Sequence, residues 1–427
     1  MRPERKGSAM ISCGLDFGTS NSAIGLALDG RITLCPLEEG RITMPTALFY
    51  YNNEPKITMG RQAIQDYLNG EEGRLLRSIK SLLGTGLISE QTVLNGQRRA
   101  FTSVIQDYIE RVKIRAEKHS GQKLERVVEG RPVHFVDNST THNDAAENSL
   151  RSILEETGFK DIRFQYEPLA AARCFAATNR DKTDQGIALI VDVGGGTTDF
   201  TLLDFASGGA SETLRKEAIL ANHGIRLGGT NFDKALSLAK VMPLLGYKTL
   251  LKGDKNLLLP DWVFKMLATW SEIVFLYGRE KRSDVNWIIQ NGAAREEMQR
   301  LKTVIEWELG HSLCNTVEEA KIALSSQDQW SMNLKAIEHG LETSLDLQEV
   351  SEILQSDLDR FNRAITETLQ LGNIRADQVS HAVMTGGSTN LTALKDATRA
   401  MLPRARMVEM DKLSAVCQGL ALEALEA

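Results

Sequence analysis

The chain of 427 residues is 42% apolar and 25% charged, ordinary globular proportions that exclude wholesale disorder and a membrane-protein composition. Its net charge near −6 leaves no general basic footprint for nucleic acid, and its length allows at least two cores. Five scattered cysteines without a C-x-x-C pair, and seven histidines without an H-E-x-x-H arrangement, exclude the common zinc and redox patterns.

Residues 1–10 are polar and read as a flexible leader; the apolar run from Met10 is broken by Gly14 and Asp16, unlike a signal peptide. Strand signals over 11–34 enclose Asp16-Phe17-Gly18-Thr19-Ser20-Asn21 and a hairpin dipeptide at Asp29-Gly30. Another short strand is expected at 47–51. From Gly60 the spacing turns helical: Ala63, Ile64, Tyr67 and Leu68 share a face, and Leu75, Leu76, Ile79, Leu82 and Leu83 continue the pattern. On spacing alone Lys80, inside this stretch, is a solvated helix lysine. An amphipathic helix over 101–118, a strand over 126–136 and a helix over 145–158, ended by Gly158, complete the pattern of an α/β lobe.

A short strand at 162–165 leads into Glu167-Pro168 and an alanine-rich helix. Proline suits the first helical turn, and Glu167 either caps that helix or faces a site. The polar stretch 178–185 is the expected crossing to a second lobe. There an apolar run ends in Asp192, then Gly194-Gly195-Gly196 and Thr197-Thr198-Asp199 follow, and the apolar run resumes at Phe200. This reads as strand, tight turn and returning strand. Glycines let consecutive N–H groups converge into an anion nest, and the flanking carboxylates are placed to hold hydrated Mg²⁺ beside a phosphate. The segment at Asp16 has the same order, so two similar lobes should close on one nucleotide.

Further along, a turn at Gly208-Gly209 and a strand over 212–223 precede Gly228-Gly229. With Thr230 as N-cap, these glycines either present N–H groups to phosphate or form a structural turn. Residues 234–312 read as nearly continuous helix with breaks at Pro243, Gly246, Pro260 and Gly292, and Trp262, Trp270, Phe275 and Trp307 supply its apolar faces. Another helix should begin at Val317, and 413–427 form a helical finish. No run approaches the length of a membrane span.

Gly14-Leu-Asp-Phe-Gly-Thr-Ser-Asn-Ser22, Tyr166-Glu-Pro-Leu-Ala-Ala-Ala172, Asp192 to Asp199, Gly228-Gly-Thr-Asn-Phe-Asp233, Glu318-Glu-Ala-Lys321 and Thr385-Gly-Gly-Ser-Thr-Asn-Leu391 occur in that order. Together they resemble the nucleotide-binding domain of the Hsp70 family, in the actin-like ATPase superfamily, and in particular its short YegD-type members. The resemblance implies an α/β, ribonuclease H-like fold of two lobes, each with a mixed five-stranded sheet flanked by helices, and a nucleotide in the cleft between them. Lobe I would span 11–183, with an insertion at about 44–115, and be completed by a helix over 412–427. Lobe II would span 184–411, with an enlarged helical insertion at about 230–375.

The resemblance also implies ATP or ADP with Mg²⁺ as ligands. Asp16, Asp192 and Asp199 would hold the metal, mostly through water. Gly18, Thr19, Ser20 and Asn21 would grip phosphates from one side, and Gly194, Gly195, Gly196 and Thr197 from the other, with Gly228 and Gly229 nearby. Lys80, Glu167, Asp192, Thr197 and Asp199 would form the catalytic set, Lys80 neutralising the transferring γ-phosphoryl group. Glu318, Lys321, Ser325, Gly386, Gly387 and Ser388 would bind the adenosine.

Three positions depart from the family pattern: Ile322 and Asn390 replace the two arginines that stack on the base, and Leu413 replaces an acidic residue. Each lost stacking contact is worth roughly 0.5–2 kcal/mol, so binding should lean on phosphate, metal and ribose. The expected activity is slow Mg-dependent ATP hydrolysis that drives a conformational switch. A peptide-binding domain is not expected in this chain. The rival readings are a nucleotide-dependent assembly or partner-binding module and, more remotely, a small-molecule kinase. A cytoplasmic monomer with a protein partner at the enlarged lobe II insertion, and with neither nucleic acid nor membrane as partner, completes the expectation.

Overall fold

A computed structural model describes residues 11–52, 54–136, 139–178, 186–204, 219–254, 256–410 and 414–426. The expected leader, nearly all of the crossing at 178–185, the Gly208-Gly209 turn, the start of the strand expected over 212–223 and Leu413 lie outside these residues.

In the first half, strands β1 (Ser12–Phe17), β2 (Asn21–Leu28) and β3 (Arg31–Leu34) form a meander. Its second turn has φ of 51° at Asp29 and 75° at Gly30, the paired left-handed conformation that such tight hairpins demand. Strands β4 (Thr43–Pro45), β5 (Ala47–Tyr51) and β6 (Ile57–Met59), helix α1 (Arg61–Leu68) and strand β7 (Gly73–Arg77) come next, followed by the hairpin of β8 (Gln91–Leu94) and β9 (Gln97–Ala100). Helix α2 (Phe101–Ser120) buries Val104, Ile105, Tyr108, Ile109, Val112 and Ala116 at three- and four-residue spacing and stops at left-handed Gly121. Then come β10 (Arg126–Arg131), α3 (Thr140–Glu156), β11 (Asp161–Tyr166) and α4 (Glu167–Thr178). The sheet runs β11-β10-β1-β2-β3, with short β4 added to β2.

The second half repeats the plan. Strands β12 (Ile187–Val193), β13 (Thr198–Asp204) and β14 (Ile219–Ile225) form the meander. Helices α5 (Gly229–Lys240), α6 (Trp262–Leu267), α7 (Ile273–Leu276), α8 (Arg279–Asn291), α9 (Arg295–Glu306) and α10 (Gly310–Ala323) follow, then the hairpin β15 (Gln329–Asn333) and β16 (Glu342–Asp346). Helices α11 (Leu347–Ile353) and α12 (Gln355–Leu371), strand β17 (Val379–Thr385), helix α13 (Thr392–Met401), strand β18 (Arg406–Glu409) and helix α14 (Ala415–Glu426) complete it. The sheet order β14-β13-β12-β17-β18 matches the first sheet strand for strand: an antiparallel meander whose first strand pairs in parallel with a fourth, and the fourth with a fifth. This is the duplicated architecture of the actin-like fold.

Each sheet has its own apolar core, and a third cluster joins them. It contains Ala170, Ala171 and Phe175 of α4, Leu420 and Ala424 of α14, Val128 of β10, and Ile190 and Val383 of the second sheet. Helix α14 packs so closely on α4 that a Cβ at Gly419 would overlap the Ala170 carbonyl, and Arg173 of α4 pairs with both Glu423 and Glu426.

Several local expectations are corrected. Residues 73–77 form a strand: Leu75 packs with Phe49 and Tyr51 on one face while Leu76 enters the main core on the other, so burial on both sides hid the alternation. Lys80 sits on a single 3₁₀ turn, Ile79–Leu82. Strand β10 stops at Arg131, before Pro132. Helix α3 starts five residues earlier than the apolar pattern, because the Ser139 side chain caps it by accepting from the His142 amide. Gly228, not Thr230, is the N-cap of α5. Glu318 lies in the second half of α10, which begins at Gly310 rather than at Val317. Residues 246–254 and 256–261 leave the helical path, with bridges pairing Leu250 to Leu258 and Leu251 to Gly292.

Candidate functional site

The β1–β2 and β12–β13 hairpins face one another across a cleft of about 300 Å³, and both turns line it. The approach is close: a Cβ at Gly195 would overlap the Ser20 hydroxyl and lie 3.0 Å from the Ser20 nitrogen, and one at Gly196 would be 3.1 Å from Thr19 Oγ1. Only glycine leaves space there for a ligand between the turns.

Two carbonyl oxygens of each turn are taken up by hydrogen bonds from neighbouring segments. In the first, Thr46 donates from its hydroxyl to the Gly18 carbonyl (2.7 Å) and from its amide to the Ser20 carbonyl (2.9 Å). In the second, the Gly194 carbonyl accepts from the Gly229 amide (3.0 Å) and the Ser388 hydroxyl (3.1 Å), and the Gly195 carbonyl from the Thr230 amide (2.7 Å) and hydroxyl (2.8 Å). Carbonyl oxygens would repel an anion, so this tethering prepares both turns for one. Gly228 and Gly229 thus brace the second turn from behind rather than line the cleft.

Acidic groups gather between the turns. Asp192 and Asp199 are direct cross-strand partners, a like-charge pairing that costs stability and calls for a functional reason. Asp16, Asp192 and Glu167 line the cleft. Asp199 lies one layer behind, where its Oδ1 accepts from the Val133 amide of the first lobe at 3.0 Å. Burial, then the Glu167 charge, pushes Asp16 up to about 7 and Asp199 up to about 8, and Asp192 is raised in the same way.

Lys80 stands among these carboxylates, 2.6 Å from Glu167 Oε1. Burial opposes its charge, but Glu167, Glu129 and Asp16 outweigh that effect and hold its pKa above the usual lysine value. The surplus of hard oxygen donors suits a divalent cation. Among the described residues no three His, Cys, Asp or Glu side chains converge tightly enough to hold a metal ion. Asp16 and Asp192, which line the cleft, could face such a cation through its water shell, with Asp199 behind them.

The other end of the cleft is lined by Glu318, Lys321, Ile322, Gly386, Gly387, Ser388 and Asn390. Glu318 pairs with Arg77 of the first lobe at 2.7 Å. Lys321 is held by Asp233 (2.6 Å) and lies 3.3 Å from the Gly229 carbonyl. Ile322 is 60% exposed, leaving an open apolar edge where the family pattern has a stacking cation. Ser325 does not line the cleft: α10 ends at Ala323, and the serine hydroxyl folds back onto the Ile322 carbonyl at 2.7 Å.

Sequence reasoning missed Thr46, Arg77, Glu129, Pro132, Phe135 and Arg226. Of these, only Arg226, two residues before Gly228, had a motif to signal it.

A sequence model of the family described as Hsp70 protein matches residues 88–241 and 284–425, well over half of the chain. The chain belongs to the Hsp70 family. Among similar proteins, chaperone protein DnaK of Mycoplasmoides gallisepticum is 26% identical over 417 residues, covering 94% of this chain and 58% of that protein. Chaperone protein DnaK of Mycoplasma mycoides subsp. mycoides SC is 25% identical over 416 residues, covering 96% of this chain and again 58% of its own length. The chain thus spans less than two thirds of the length of these curated relatives.

Between the two matched segments of this Hsp70-family chain, Trp270, Val274 and Phe275 touch the first lobe. Arg74 donates to the Val274 carbonyl, the Arg77 guanidinium lies 4.1 Å from the Trp270 ring centroid, and the Phe101 and Phe275 rings are 5.4 Å apart. Among the described residues no helix is long and apolar enough to cross a membrane.

Proposed function

We propose that this chain binds ATP with Mg²⁺ in the cleft, hydrolyses it slowly, and uses the two nucleotide states as a conformational switch. The observation that carries this reading is the pair of facing turns with their carbonyls tied back, together with the Lys80–Glu167 pair between them. Gly18 to Asn21 would take the phosphates from the first lobe and Gly194 to Thr197 from the second. Mg²⁺, when bound, would neutralise phosphate charge and polarise the phosphoryl oxygens.

Hydrolysis forms a bond from a water oxygen to the γ-phosphorus. The bond to the β,γ-bridging oxygen breaks, its electron pair leaves with ADP, and the displaced proton passes to phosphate or solvent. Lys80 would stabilise charge on the transferring group, with Glu167 fixing its ammonium, and Thr197 would orient the water. Ribose and base would lie among Glu318, Lys321 and Gly386 to Ser388. Adenine selectivity is expected to be modest, because Ile322 and Asn390 offer no guanidinium to the base.

The chaperone names of the relatives support a role in protein handling. Trp287 and Trp307, 48% and 75% exposed on the second lobe, are where a protein partner would be sought. The inner side of that region, at Trp270, Val274 and Phe275, is already engaged by its own chain.

Calorimetric titration with Mg-ATP, Mg-ADP and Mg-GTP, with phosphate release followed in the same samples, tests the reading. Binding with slow release that is lost in Asp192→Ala is expected. Failure to bind any of the three nucleotides overturns it.

A further inference from the structure

At the Ile322 end of the cleft two cations and two carboxylates alternate. Arg77 of the first lobe pairs with Glu318 at 2.7 Å, and Lys321, one turn further along α10, pairs with Asp233 of α5 at 2.6 Å. Trp270 joins the two pairs. It comes from the link between α6 and α7, inside the stretch that separates the two family-matched segments, and it is 3% exposed. Its ring centroid lies 4.1 Å from the Arg77 guanidinium, and its Nε1 donates to Asp233 Oδ2 at 3.4 Å.

An indole is negative on its faces and positive at its N–H edge, so a cation over the face and a carboxylate at the edge are both placed favourably. The other Asp233 oxygen, Oδ1, holds Lys321, whose ammonium lines the cleft and lies 3.3 Å from the Gly229 carbonyl. The Gly229 amide in turn donates to the Gly194 carbonyl of the second phosphate turn. A continuous series of contacts thus runs from Arg77 through Trp270 and Asp233 to Lys321 and on to that turn. Resting on the nucleotide reading of this cleft, we propose that Trp270 is a positioning residue for the nucleoside. Held under Arg77, it fixes Asp233, and Asp233 fixes Lys321 where the ribose arrives. Arg77 belongs to one lobe and Trp270, Asp233 and Lys321 to the other, so the nucleoside end takes its binding shape when the lobes are closed. A ligand that has phosphates but no nucleoside does not draw on this arrangement.

The test compares the full chain with Trp270→Phe, which keeps a ring under Arg77 but lacks the N–H, and with Trp270→Leu, which lacks both. Melting curves first confirm folding, and calorimetry then measures binding of Mg-ADP and of Mg-pyrophosphate. For Trp270→Leu the expected result is a fall of about tenfold in ADP affinity, with pyrophosphate affinity within about twofold of wild type. Trp270→Phe should fall between the two. Adding Arg77→Gln to Trp270→Leu should weaken ADP binding less than Arg77→Gln does alone. Equal weakening of both ligands would make Trp270 a general support of the fold, and unchanged ADP affinity would make it a bystander. Additive effects of the two substitutions would cut the link to Arg77. Each of these outcomes overturns the proposal alone. If the leucine variant does not fold, the phenylalanine variant decides by the same criteria; if pyrophosphate binds too weakly to measure, the double variant decides. A wild-type chain that binds neither ligand overturns the nucleotide reading and this proposal together.

Discussion

Arg77 of β7 and Glu318 of α10 form an ion pair at 2.7 Å that joins the two lobes beside the cleft. Burial would raise the glutamate, but Arg77 and Lys321 prevail and hold it below the usual carboxylate range. Arg77 also lies over Trp270, so one side chain contacts two elements of the opposite lobe.

Breaking that contact should loosen closure. Arg77→Gln leaves Glu318 partly buried without its partner, a loss of about 1–3 kcal/mol from the closed form. A roughly tenfold or greater rise in the dissociation rate of fluorescent ADP is expected, with a change in Trp270 emission. An unaltered rate in stopped-flow measurements would mean that the phosphate turns alone set nucleotide residence.

Gly195→Ala tests the approach of the two hairpins. Gly195 does not adopt positive φ, so the backbone accepts alanine, while the added methyl group meets Ser20 across the cleft. Melting temperature should change little, and Mg-ATP affinity should fall more than tenfold. Unchanged affinity by calorimetry would place the nucleotide elsewhere.

Glu129 is fully buried on β10, and neither of its oxygens finds a well-formed hydrogen bond from the protein. Burial pushes its pKa well up; Lys80 opposes this, while Asp16 and Glu167 add to it. Glu129→Leu removes this orphaned carboxyl and should stabilise the nucleotide-free chain by about 1–3 kcal/mol. Glu129→Gln, still polar, should gain less. Thermal melts decide: a leucine variant that melts lower than wild type would reveal a partner for the carboxyl.

Raised carboxyl pKa values set the sign of the pH dependence. Asp16 near 7 and Asp199 near 8 keep protons in the folded chain that the unfolded chain releases around pH 4. Their contribution is full below that pH and is lost as pH rises through 7 to 8. The nucleotide-free chain should therefore melt several degrees lower at pH 8 than at pH 5.5. Mg²⁺ should narrow the gap by stabilising the ionised carboxylates at the higher pH. Melts that are flat across this window would show that the acidic charges are already balanced.

The parts of the site legible in the sequence were those built from contiguous residues. Asp16 to Asn21 and Asp192 to Asp199 announced two hairpins because approach, turn and return all lie within a short stretch. What remained hidden depends on contacts between distant segments. Nothing near Arg77 indicates that Glu318 and Trp270 will meet it, and the spacing of Asp199 does not reveal that Val133 will claim its Oδ1. Strand 73–77 was misread because Leu75 and Leu76 are buried on opposite faces and leave no polar alternation. Ser325 fits its motif, yet α10 ends two residues before it and the hydroxyl turns back.

Helix α14 has a consequence for how the chain is made. The Ser12 hydroxyl donates to the Ala424 carbonyl, 412 residues away, and α14 covers β1 and β2. On the ribosome, the strands of the first lobe emerge about 400 residues before the helix that covers them, whereas the strands of the second sheet all lie between Ile187 and Glu409. The lobe synthesised first is thus the last to be sealed, and its uncovered sheet must be kept from aggregating in the interval.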